Sequence, residues 1–180
     1  MTIALHPGSV SIETLADLYW NDRPSWLHQS AKAKVEEAAA LVAKAVAGDA
    51  AVYGVNTGFG KLAKTRIANA DLSRLQTNIV RSHAAGVGAP LDAGVVRLIL
   101  LLKLNALSQG ASGISIAAME ALTALINGDV LPVVPGQGSV GASGDLAPLA
   151  HLSLVLIGEG EALVRGRHLT GAEALKAADV

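Results

Sequence analysis

The sequence contains no cysteine, so disulfides, thiolate metal sites and a cysteine nucleophile are all excluded. Aromatic side chains are nearly as scarce, at 3% of 180 residues. The core must therefore come from Leu, Val, Ile and Ala, because 51% of the chain is hydrophobic. Charge of neither sign is in surplus. Fourteen basic and fifteen acidic residues give a net charge of −1, which removes the electrostatic case for nucleic acid or an anionic membrane as partner. Long apolar runs are also missing: the greasiest stretch, Leu98 to Leu102, lies between Arg97 and Lys103 and is far too short to span a bilayer. The first residues, Met1 to Gly8, have neither the basic start nor the apolar core of a signal peptide. These absences point to a soluble, cytoplasmic protein, and the length suffices for one domain with a real core.

Periodicity predicts a mainly α chain, a helical bundle with a small N-terminal α+β part and a short β-hairpin near the C-terminus. A strand and a Pro7-Gly8 turn should precede a helix capped near Ser11. Helices are expected over about 30–47, 71–85, 92–108, 115–126 and 146–156, with a hairpin over 162–169 and a last helix from near Gly171. Residues 51–66 read as a glycine-containing loop. The segment 92–108 is apolar on nearly every face, which predicts a central helix needing cover on all sides. The chain divides into 1–110, the N-terminal region and first helices, and 111–180, the start of the central helical part.

Glycine is what the sequence has in quantity, with 19 residues, and its densest use is Gly138-Ser-Val-Gly-Ala142-Ser143-Gly144-Asp145-Leu-Ala-Pro-Leu-Ala-His151. An Ala-Ser-Gly triplet on a tight turn can attack itself. The Gly144 amide nitrogen closes on the Ala142 carbonyl carbon, and loss of two waters, one carrying the Ser143 hydroxyl, leaves an exocyclic methylene. The product, 4-methylidene-imidazol-5-one (MIO), is a strong electrophile made without an external cofactor. A second Ala-Ser-Gly, Ala111 to Gly113, is a control. It lies between two helical patterns, where Gly110 and Gly113 read as a helix end and a turn. Only the later copy follows Pro135, Gly136, Gly138 and Gly141, and only it leads into Asp145, a good N-cap, and Pro148 in a first helical turn. A helix N-terminus beside the ring favours negative charge on the ring oxygen, and Asp145 can assist the proton transfers.

Two other motifs compete. Gly136-x-Gly138-x-x-Gly141 with Glu161 twenty residues on has the spacing of a dinucleotide fingerprint, but prolines interrupt the strand before it and no βαβ alternation follows. Gly141-Ala-Ser143-Gly-Asp145 misses the GxSxG nucleophile elbow at its last position. His6, His28 and His168 have no spacing suited to a metal.

The 138–151 segment resembles the active-site loop of the aromatic amino acid ammonia-lyases, most nearly their histidine-specific members. The resemblance runs from end to end of the chain and implies the N-terminal portion of a longer enzyme, a homotetramer whose active sites draw on several subunits. It implies MIO formed from Ala142, Ser143 and Gly144, and a small amino acid substrate. Tyr53, in Tyr53-Gly54-Val-Asn56-Thr57-Gly58-Phe59-Gly60, matches the family's catalytic tyrosine, which removes a poorly acidic β-proton. Gly60 would lie beside the substrate, its missing side chain making room. His83, in Arg81-Ser82-His83, occupies the place that meets the substrate side chain, and an imidazole there suits an imidazole substrate. The implied reaction is elimination of ammonia from L-histidine to trans-urocanate. Tyrosine and phenylalanine lyases, aminomutases, and a non-catalytic helical fragment or assembly module remain the alternatives.

Overall fold

The computed structural model describes residues 3–21, 25–27, 29–139 and 146–180. Ala142, Ser143, Gly144 and Asp145 lie outside the described residues, as does His28.

The chain opens with a short parallel pair. Strand β1 (Ile3–Leu5) lies beside β2 (Ser25–Leu27), with helix α1 (Ile12–Trp20) between them. Ser11 caps α1 by accepting from the Thr14 N–H at 3.2 Å, as its sequence position predicts. Helix α2 (Ser30–Ala47) runs to Gly48, and a loop containing one 3₁₀ turn (Gly60–Leu62) leads to α3 (Asn69–His83). Strand β3 (Val87–Pro90) precedes α4 (Ala93–Leu107) and α5 (Ile116–Asn127), the latter capped by Ser115 accepting from the Ala118 N–H at 3.2 Å. Next come β4 (Val130–Pro132), β5 (Pro135–Gln137), α6 (Leu146–Leu156), β6 (Glu161–Val164), β7 (Arg167–Thr170) and α7 (Gly171–Ala177). The mainly α architecture and the C-terminal hairpin are as expected.

The core follows the aliphatic composition. Leu100, Leu101 and Leu104 of α4 meet Leu122 and Ile126 of α5, with Leu5, Leu18, Val35, Leu131, Val134 and Leu152 closing around them. A second cluster joins Leu125 and Val130 to Val155, Ala162, Val164 and Ala174. One expectation is met only in part. Helix α4 is central but not covered on all sides, because Leu102 is 46% exposed.

The β structure exceeds the hairpin read from sequence. β4 joins it, giving the antiparallel order β4-β6-β7, and β3 pairs antiparallel with β5, Val87 opposite Gln137 and Pro90 opposite Pro135. The dinucleotide alternative fails on this point. Its glycines begin in an antiparallel strand, where a nucleotide fold would need a parallel one. The hairpin turn uses Arg165 and Gly166, both with positive φ (48° and 76°), the geometry of a two-residue primed turn. Thr170 and Glu173 form a reciprocal capping box at the start of α7.

The control triplet is structural. Gly110 and Gly113 have φ of 74° and 73°. A Cβ on Gly110 would stand 2.6 Å from Lys34 Cβ, and one on Gly113 would overlap Val42 Cγ2. Both glycines let the α4–α5 connection press against α2. Gly166, also at positive φ, has nothing within 4 Å of an added Cβ. Gly113→Ala should therefore cost about 3 kcal/mol, from overpacking and left-handed strain together, and Gly166→Ala about 1 kcal/mol from strain alone. Urea unfolding of the two variants checks the difference.

Candidate active site

Four segments converge on one cleft of about 510 Å³. Ser82 and His83 come from the last turn of α3, Val87 from β3, Gln137 and Gly138 from β5 and the residue after it, and Leu146 and Ala147 from the first turn of α6. Gly138 and Leu146 flank the segment that holds the reactive triplet, and both line the cleft with His83.

The orientation of His83 follows from its neighbours. Nδ1 lies 2.8 Å from the Ile79 carbonyl oxygen and 3.2 Å from Ser82 Oγ, while Ser82 Oγ donates to the same carbonyl at 3.0 Å. A carbonyl oxygen only accepts, so the proton of the neutral ring is assigned to Nδ1. Nε2 is then the acceptor. Arg81, two residues earlier, donates through Nε to both carboxylate oxygens of Glu159 at 3.0 Å, and its Nη2 also bonds Oε1. The hydrogen bonds from Arg81 hold the Glu159 carboxyl below the usual carboxylate range. This fork ties the end of α3 to the turn after α6.

The base of the triplet segment is closed by close approach. A Cβ on Gly138 would stand 3.0 Å from both Ala147 Cβ and Gly86 Cα, so the two flanks meet over the Gly86 backbone. Gly86 is equally confined: its own Cβ would be 3.1 Å from His151 Nε2 and 3.2 Å from Pro135 Cβ. The Gly86 N–H donates to His151 Nε2 at 3.0 Å. Burial lowers the pKa of His151 below its ordinary 6.5, and an imidazolium would set a second donor against the Gly86 N–H.

Tyr53 stands elsewhere. It is 63% exposed, makes an edge contact with Phe59 at 5.4 Å between ring centroids, and does not line the His83 cleft. Its loop is anchored by a residue that the sequence reading passed over. Asn56 is fully buried, and its side chain accepts from the Val52 N–H (2.7 Å) and donates to the Ala45 and Ala50 carbonyls (3.1 and 2.9 Å). Its backbone bonds Val52 and Ile67. All of its polar groups are paired, so it knots the loop to the end of α2. The available signal was an asparagine inside a glycine-rich loop, a residue type that bonds nearby backbone readily. Gly60 opens the 3₁₀ turn with φ +58°, and nothing lies within 4 Å of an added Cβ. The positive φ favours glycine there, and the space beside it is open among the described residues.

The chain belongs to the aromatic amino acid lyase family, whose sequence model matches residues 10–180. It is 51% identical, over all 180 of its residues, to histidine ammonia-lyase of Roseobacter denitrificans, and it covers 35% of that protein. It is similar to the crystal structure of histidine ammonia-lyase from Trypanosoma cruzi (TM-score 0.89, 32% identity, all of this chain and 35% of that one). Phenylalanine aminomutase of Pantoea agglomerans is comparably similar (TM-score 0.90, 31% identity, 99% of this chain and 34% of that one). The chain thus spans about a third of the length of these relatives. Among the described residues, no helix is long and apolar enough to cross a membrane.

Two outcomes follow from this geometry. Asn56→Ala should cost about 2–3 kcal/mol by stranding a buried amide and two carbonyls, and hydrogen exchange should quicken across 51–60 before the α4–α5 core responds. For His151 the folded pKa lies below the unfolded one, so the unfolded chain binds the extra proton first. Stability should be complete above pH 6.5 and fall as pH drops from there through the lowered folded value. His151→Gln should flatten that slope in thermal melts across the same range.

Proposed function

We propose that this chain carries the electrophile and the side-chain recognition face of an enzyme that eliminates ammonia from L-histidine to give trans-urocanate. The observation that supports it most is the placing of His83 on the cleft bounded by Gly138 and Leu146, with Nδ1 held by Ile79. A neutral imidazole fixed in that tautomer offers Nε2 to an N–H donor, which the histidine side chain has and a phenylalanine side chain lacks. The triplet chemistry fits the local architecture, since Gly138 and Ala147 close the base of the segment with no side chain between them.

The ring formed from Ala142, Ser143 and Gly144 supplies an electron sink when present. Asp145 then shuttles protons at the start of α6, and the helix N-terminus favours the negative charge that develops. Tyr53 takes the β-proton from a loop whose foot Asn56 fixes, and Gly60, with nothing within 4 Å of an added Cβ, leaves room beside the substrate. In this reading the working enzyme is a cytoplasmic homotetramer, and further groups that hold the substrate carboxylate come from outside these residues.

A second reading has its own support. Tyr53 does not line the His83 cleft, and the chain spans about a third of its relatives, which suits a helical module that carries lyase residues without a complete site.

Ammonia release from L-histidine, L-tyrosine and L-phenylalanine, measured side by side, tests the proposal. Urocanate from L-histidine alone supports it. Preference for phenylalanine would remove the histidine assignment and keep the lyase class, whereas a β-amino acid product would indicate an aminomutase. No turnover of any of them favours the module. Ser143→Ala should lower any activity by at least roughly a thousandfold, the scale of losing an essential catalytic group.

A further inference from the structure

The chemistry proposed above uses one histidine, His83. We infer that His151 is a positioning residue for the same cleft, holding the bend behind His83 against α6 through the Gly86 N–H. The inference rests on reading that cleft as the amino acid site.

Ala147 and His151 are four residues apart and share a face of α6. Ala147 packs where Gly138 passes, and His151 takes the Gly86 amide. Gly86 Cα in turn stands 3.0 Å from the Cβ position of Gly138. The three contacts form a closed triangle between the bend after α3, the near flank of the triplet segment and its far flank. Only two residues separate Gly86 from His83, and the Ala85 N–H bonds the His83 carbonyl at 2.8 Å, so a shift of Gly86 reaches His83 directly. On its other side Gly86 precedes Val87, which pairs with Gln137. The same shift would therefore move the opposite wall.

The residue must present an acceptor here. Nε2 faces an N–H, so the proton of the neutral ring belongs on Nδ1. Alanine would leave the Gly86 amide without that acceptor, whereas a glutamine Oε1 can reach the same N–H. The Arg81–Glu159 fork is a separate tie from α3 to the turn after α6, so loss of the His151 contact alone should leave the helix docked and change only the spacing within the cleft.

The test is nitrogen-15 spectroscopy on the chain labelled at histidine, glycine and leucine, in wild type, His151→Ala and His151→Gln. In wild type, His151 should show an unprotonated, hydrogen-bonded Nε2 and a protonated Nδ1. In His151→Ala the His83 ring and the Gly138 amide should shift, and Gly86 amide exchange should quicken by roughly tenfold or more. Resonances of Leu100 and Leu104 should stay in place. His151→Gln should return the His83 and Gly138 signals toward wild type. The inference is overturned by a protonated Nε2 in wild type, by His83 and Gly138 that do not respond to His151→Ala, or by a glutamine variant as perturbed as the alanine one. If the alanine variant does not fold, the wild-type tautomer and the glutamine variant still decide. None of these signals requires turnover, so failure of the lyase proposal would leave them readable.

Discussion

Everything near the cleft depends on one place where there is little room for a side chain. At Gly86 the bend after α3 is pressed between Pro135 and His151, and Gly138 crosses its Cα. A methyl group there would stand 3.1 Å from His151 Nε2 and 3.2 Å from Pro135 Cβ, so β5 or α6 would have to give by a few tenths of an ångström. Close packing makes such a junction stiff, because none of the three neighbours can yield without moving the others. The proposed recognition and electrophile formation fall to sequence-distant segments, His83 and 142–144. A backbone contact this tight is a direct way to hold two such segments in register.

The rest of the fold supplies the frame for that junction. The α4–α5 pair forms the buried centre, and β4, leaving α5, joins the C-terminal hairpin that packs beneath α6. The part-buried Arg97–Asp129 pair, with Arg97 also donating to the Tyr19 carbonyl, ties α4 to the α5–β4 turn and to α1. These elements set where β5 ends and α6 begins, on either side of the triplet segment. The Tyr53 loop hangs from another part of the frame, the end of α2, through Asn56. The proposed base and the recognition face are therefore carried by separately anchored parts. The proposed function therefore calls for an assembled site to bring them together, since local packing does not.

Much of this was legible in the sequence. The helices were readable because their signals agree: Ser11 and Ser115 cap as their positions suggest, and Thr170 with Glu173 makes the last cap explicit. Helix α3 starts two residues earlier than Asp71 suggested, because Asp71 sits in the first turn and pairs with Arg74 at 2.7 Å instead of capping. The strands β3, β4 and β5 were not readable. Each has three or four residues with proline or glycine among them, too short to show alternation, and they exist through partners far away in sequence. The candidate site divides along the same line. Residue chemistry pointed to His83 and to the triplet, and the structure gathers His83 with the triplet's flanks. The Gly86–His151 contact spans 65 residues, which no local pattern announces, whereas Asn56 reaches back 11 residues to Ala45 and showed only as an asparagine in a glycine-rich loop.

We expect the segment between Gly138 and Leu146 to convert Ala142, Ser143 and Gly144 into an electrophilic ring. Intact mass of the purified, denatured chain, followed by peptide mapping across 136–150, tests this most directly. The account predicts a deficit of two waters confined to the peptide holding the triplet, absent from the one holding Ala111 to Gly113. An unmodified mass in both peptides would contradict it.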